Sequence, residues 1–239
     1  MNNMKMRYYS KFYQGFTLVE MAIVLIIFGI LLGGLLTSLS AQSELKSRNT
    51  TEQALENIKE ALIGYAIVNG YLPCPDNALI PTGVEGARDI NGGCVVLEGT
   101  LPWQVLSVAK ADAWERYFRY RVTNSFSNNG IGTGIKFSLN SAGGITVKSD
   151  VGLLTTSAVA VIVSHGGNGF GAKNTLQATP GNDMPAPTGV DELENTNSNA
   201  TFVNHVPTLQ GSGNEFDDSA AWISPTILVN RMVAAGKLP

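Results

Sequence analysis

The chain has 239 residues, 44% of them hydrophobic and 15% charged, with a formal net charge of −3. That length suits one anchor and one or two small domains. The mild acidity, with no basic stripe interleaved with aromatics, gives no reason to expect nucleic acid as a partner.

The average conceals a sharp split between an almost wholly apolar stretch at residues 16–36 and a polar remainder rich in Gly and Asn. Residues 1–15 carry Lys5, Arg7 and Lys11, contain no acid, and end in Gln14-Gly15. Phe16-Thr17-Leu18-Val19-Glu20 follows, and the apolar run then continues to Leu36. These 21 residues are about the length that crosses a ~30 Å hydrocarbon core as a helix. An ordinary signal peptide or signal anchor is one reading, with Thr37-Ser38-Leu39-Ser40-Ala41 as a loose cleavage site. Against it, the run exceeds the roughly 7–15 residues of a secretory signal core. It also contains Glu20, an ionisable group whose burial at a bilayer centre costs about 2.5–3.5 kcal/mol, so it marks a function.

The pattern Gly15-Phe16-Thr17-Leu18-Val19-Glu20 behind a short basic leader resembles the class III signal of type IV prepilins and pseudopilins. The resemblance implies that a prepilin peptidase cuts between Gly15 and Phe16 on the cytoplasmic face. It also implies N-methylation of Phe16, and pairing of the new amine with Glu20, on a neighbouring subunit, during filament assembly. The partners it implies are the peptidase, other pilin or pseudopilin subunits, an inner-membrane assembly platform and membrane lipid. The leader cations outnumber Lys46 and Arg48 beyond the span, so the positive-inside rule also puts the leader in the cytoplasm and the remainder in the periplasm. Loss of the leader takes three of sixteen basic residues and leaves thirteen against nineteen acids.

No proline occurs between Phe16 and Pro73. Leu45, Thr51, Leu55, Ile58, Leu62 and Tyr65 form a stripe whose later steps are those of one helix face. One helix is expected from Phe16 to about Val68, roughly 75 Å long at 1.5 Å per residue. Its transmembrane half is 16–36 and its amphipathic half 37–70. Gly29, Gly33 and Gly34 suit either close helix approach or local unwinding. Asn69-Gly70 ends the helix.

The remainder, 71–239, is expected to be a periplasmic globular domain, making the fold class α+β: a long N-terminal helix on an antiparallel sheet, pilin-like. Cys74 and Cys94 suit a disulfide across a Gly-rich loop after export; two reduced thiols are the other reading. Zinc is not expected, because His165 and His205 lie at no ligand spacing from them. Strands are expected at 117–122, 135–139, 144–147 and 158–163, the last a continuous apolar run suited to a central position. Asp112-Ala113-Trp114-Glu115 resembles an Asp-Pro-Trp-Gly segment of major type II secretion pseudopilins, with Ala113 for its proline and Glu115 for its glycine. Residues 172–213 read as a long polar surface excursion that could carry partner specificity. Ser224-Pro225 opens a helix expected at 226–235, closed by Gly236. That helix and the excursion both depart from the major pseudopilin pattern.

Ser164-His165-Gly166-Gly167-Asn168-Gly169 follows the central strand. It lacks the marks of a phosphate loop, and adjacent Ser and His make no triad, so no enzyme is expected. It is similar to the Ser-Leu-Gly-Ala-Asp-Gly loop of major pseudopilins. Asp217-Asp218, shortly before Trp222, is similar to their C-terminal Asp…Trp loop. The resemblance implies calcium held by Asp217, Asp218 and carbonyls of residues 164–174; a solvated acidic turn is the other reading. The expected function is a pseudopilin or minor-pilin-like filament subunit. The alternatives are a pilin-stalked adhesin or ligand-binding module, and a signal-anchored periplasmic protein that never polymerises.

Overall fold

The structure, a computed structural model, describes residues 15–132, 134, 136–176, 183–208 and 213–238; the side chains of 32–40 also lie outside the described set. The leader cations Lys5, Arg7 and Lys11 fall outside it. The chain divides into two compact units, Met1–Leu45 and Lys46–Pro239.

Helix α1 runs Leu18–Asn69 over 52 residues. Among the described residues no helix is long and apolar enough to cross a membrane. The expected span at 16–36 continues past Leu31, where the described side chains stop.

Within Lys46–Pro239, α1 buries Thr51, Leu55, Ile58, Leu62, Ile63 and Ala66. Leu45, placed on that stripe by spacing, is instead 60% exposed: it lies in the other unit, outside the globular core. Gly70 takes φ 81° and its N–H reaches the Ala66 carbonyl, which stops the helix.

Beyond α1 come β1 (Glu98–Thr100), α2 (Trp103–Leu106), β2 (Arg119–Val122), α3 (Asn124–Ser127), β3 (Ile145–Ser149), β4 (Gly152–Ala158) and β5 (Ala160–Ser164). Then follow α4 (Val190–Glu194), β6 (Thr201–Val203), β7 (Ser219–Ile223) and α5 (Pro225–Ala234). One sheet is antiparallel in the order β1-β2-β5-β7. A second has the order β4-β3-β6, and there β3 and β6 run parallel.

The central strand β5 explains the three-layer packing. Ala160 and Ile162 share a core with Leu55, Ile58 and Leu62 of α1. Val161 and Val163 face the other way, into a core with Ile145, Val147 and Phe202 of the second sheet. Every β5 side chain is buried, so a continuous apolar run is what this position requires.

Three expectations about the sheet need correction. The run 158–163 is not one strand: β4 ends at Ala158, and Val159 bonds outward to Ile223 and Thr123 before β5 begins. No strand forms at 136–138; Phe137 packs on Phe126 with ring centroids 4.9 Å apart, and Lys136 Nζ bonds the Asn69 carbonyl, so this segment covers the core as a loop. The excursion is not structureless, because it contains α4 and β6 and buries Glu192, Asn195, Phe202 and Val203. At the C-terminus Ser224 caps α5, accepting from Ile227 N at 3.2 Å.

Candidate functional site

Residues 15–17 have no regular structure, and α1 begins one residue later. Thr17 and Glu20 form a reciprocal capping box: Glu20 N donates to Thr17 Oγ1 at 3.2 Å, and Thr17 N donates to Glu20 Oε2 at 3.1 Å. The bond between Gly15 and Phe16 therefore lies in non-helical backbone just outside the helix start. The Phe16 ring is 80% exposed. Glu20 sits in the first turn, where a carboxylate also opposes the positive end of the helix dipole.

Cys74 and Cys94 are joined by a disulfide with Cα atoms 5.5 Å apart. Arg88 braces the loop between them: it pairs with Glu85 and donates to the carbonyls of Gly92 and Ser127. Asp76 anchors the same loop by accepting from the N–H groups of Ala78, Thr82 and Gly83.

The other predicted site residues, Asp217 and Asp218, lie where β7 begins. Antiparallel pairing sets Ser164 opposite Ser219, so the chain leaving β5 runs beside the chain entering β7. Gly166 takes φ 59°, and a Cβ there would come within 2.4 Å of the Asp217 carbonyl; only glycine lets these two loops approach this closely. Asn168 N donates to Asp217 Oδ2 at 2.9 Å. The buried His165 ring holds Nδ1 3.5 Å from Asp218 Oδ2. Ser164 does not address His165; its Oγ donates to the buried Asp112 at 2.6 Å.

A third carboxylate, from α4, completes the cluster. Oxygens of Glu192, Asp217 and Asp218 all lie within 4.8 Å of one another. Glu192 Oε1 accepts from Asn168 Nδ2 at 2.8 Å and from Asp217 N at 3.1 Å. Asp218 Oδ2 accepts from Asn195 Nδ2 at 2.8 Å. Each of these two carboxylates is thus fixed through one oxygen, while Glu192 Oε2 and Asp218 Oδ1 are buried with no hydrogen-bond partner among the described residues. Burial pushes the Glu192 carboxyl up to about 7, the Asn168 hydrogen bond opposing and the Asp218 charge adding to the rise.

Buried carboxylates left this way are costly unless a proton or a cation joins them. Calcium, with oxygen ligands at about 2.3–2.6 Å, accommodates ligand oxygens up to roughly 5 Å apart across the ion. The donor set is all oxygen and therefore fits a hard divalent ion. Glu192 escaped the sequence reading because it lies inside a polar excursion. The acid-rich run Asp191-Glu192-Leu193-Glu194 was the available signal.

No curated protein and no solved structure matches the chain significantly. Residues 10–36 match the family model for the prokaryotic N-terminal methylation motif. The chain therefore carries at its N-terminus the class III prepilin signal of the type IV pilin and pseudopilin family.

Proposed function

We propose that this protein is a pseudopilin or minor-pilin-like subunit of a type II secretion or type IV pilus filament. The observation that carries the reading is the N-terminus: an unstructured Gly15-Phe16 bond, immediately followed by a helix with Glu20 in its first turn, inside the matched methylation motif. Prepilin peptidase cleaves after Gly15, and Phe16 becomes the methylated N-terminus. Residues 16–36 hold the subunit in the inner membrane with the globular part in the periplasm. On assembly, the Phe16 amine of an incoming subunit pairs with Glu20 of a neighbour. That offsets the cost of burying both charges and sets the axial register. Methylation keeps the amine cationic, so the pairing survives it.

Calcium is the proposed resident ion. Asp217 and Asp218 would hold it and supply the hard oxygen ligands it prefers. Its part is architectural, neutralising a buried acidic cluster beside the central strand.

The test is the intact mass and N-terminal sequence of the protein from native membranes, with and without prepilin peptidase. A chain beginning at N-methylated Phe16 only when the peptidase is present is the expected result. A chain still beginning at Met1, or cut near Ala41, would defeat the reading. Glu20→Val should leave cleavage intact and reduce recovery in sheared or cross-linked filaments at least tenfold. Unchanged incorporation would remove Glu20 from assembly.

A further inference from the structure

The excursion 172–213 has no evident reason, in composition, to dock on the sheet. Besides the pairing of β6 with β3, its described part docks through Glu192 of α4 and the C-cap Asn195, both of which reach the acidic cluster. Asn195 donates to Asp218 Oδ2 and to the Val203 carbonyl, and accepts from Val203 N at 2.7 Å, so it ties α4 to β6 and to the β7 entry together. Glu192, one helical turn earlier, accepts from Asn168 and from Asp217 N. Its second oxygen is fully buried with no hydrogen-bond partner among the described residues, and the residue clusters with Asp217 and Asp218. A side chain kept only to hydrogen-bond Asn168 and Asp217 would do so equally well as glutamine, without adding a third acid to two others.

We infer that Glu192 is the third carboxylate ligand of a hard divalent cation held with Asp217 and Asp218, and that this cation fastens the α4 part of the excursion to the loops leaving β5 and entering β7. The inference rests on the calcium reading above and extends it: the ion becomes the clasp of the excursion rather than an ornament of the C-terminal loop. The helix α4 is then presented in one conformation only when the cation is bound. Low calcium releases α4 from those loops while β6 stays paired with β3.

The experiment uses the full chain in detergent micelles, with CaCl2 as the probe. Isothermal titration should give one site in the wild type. Glu192→Gln should weaken it at least tenfold, while Glu194→Gln on the same helix should stay within twofold. Hydrogen exchange on the wild type should show calcium slowing the amides of 190–195, an effect lost in Glu192→Gln. In EDTA at pH 8, Glu192→Gln should melt at or above the wild type, because one of three clustered charges is gone; with calcium the order should reverse.

No calcium binding by the wild type would overturn the calcium reading and this inference together. Binding by the wild type with equal affinity in Glu192→Gln would overturn the inference alone. So would calcium protection confined to 164–171 and 217–219 in the wild type, a result that needs no variant to fold.

Discussion

Glu115 occupies φ 62°, the left-handed region that side chains disfavour. The turn demands it. Asp112 Oδ1 accepts from the N–H groups of Trp114 and Arg116, and Glu115 N returns to the Asp112 carbonyl. In the sequence pattern that this segment resembles, the position is glycine. The left-handed conformation costs a non-glycine residue about 1–2 kcal/mol, and glycine returns about 0.5–1 kcal/mol of that as unfolded-state entropy. Glu115→Gly should therefore raise the free energy of unfolding by up to about 1 kcal/mol, measured by denaturant titration. A decrease would show that the Thr175 Oγ1 hydrogen bond to Glu115 Oε2, at 3.1 Å, outweighs the strain.

Glu192 supplies a second residue-scale prediction. Its folded-state pKa of about 7 lies above its ordinary value, so without calcium the folded chain holds this proton where the unfolded chain has released it. That stability is fully present below the ordinary glutamate pKa and is lost as pH rises through about 7. His165, Asp217 and Asp218 face the same point. Glu192→Gln isolates the glutamate, and in EDTA it should flatten the decline in unfolding free energy between pH 5 and pH 8. An unchanged decline would assign the titration to another group. Saturating calcium should flatten it in the wild type, because the cation takes the place of the proton.

Among the elements, the covalent loop after α1 is the most confined. Cys74 and Cys94 are 20 residues apart in sequence, and closing such a loop stabilises by about 3 kcal/mol in the chain-entropy picture. Cys74→Ser with Cys94→Ser should lose about that much, read as a shift in denaturation midpoint that reductant reproduces in the wild type. A much smaller loss would mean that Asp76 and Arg88 already hold the loop. The strand β5 shows a different constraint. From Ala160 to Val163 its two faces belong to two cores, so a polar side chain has nowhere to go there, while Ser164 at its end is buried against Asp112. The part of α1 from Thr51 to Leu62 has one such face, which is why its buried positions step by three and four while Glu52, Gln53, Glu56 and Glu60 stay exposed.

For the whole molecule, local pattern and long-range pairing divide the account. The prepilin signal, the extent of α1, its buried face from Thr51 to Leu62 and the cap of α5 were readable in the sequence, because each depends on side chains within a turn or two of each other. The disulfide was readable as one of two alternatives, since two cysteines can close or stay reduced. The aspartates at the β7 entry were readable only as part of the acidic cluster that the fold completes. The split of the apolar run at Val159, the parallel pairing of β3 with β6, and the loop in place of a strand at 136–138 depend on which backbone groups find partners far away in the chain, and composition does not encode that. Glu192 is the clearest case. It stands 25 residues before Asp217 in a segment that reads as polar filler. Only the docking of α4 against the loops of β5 and β7 turns an unremarkable surface acid into a buried one, because burial and charge proximity are properties of the folded chain.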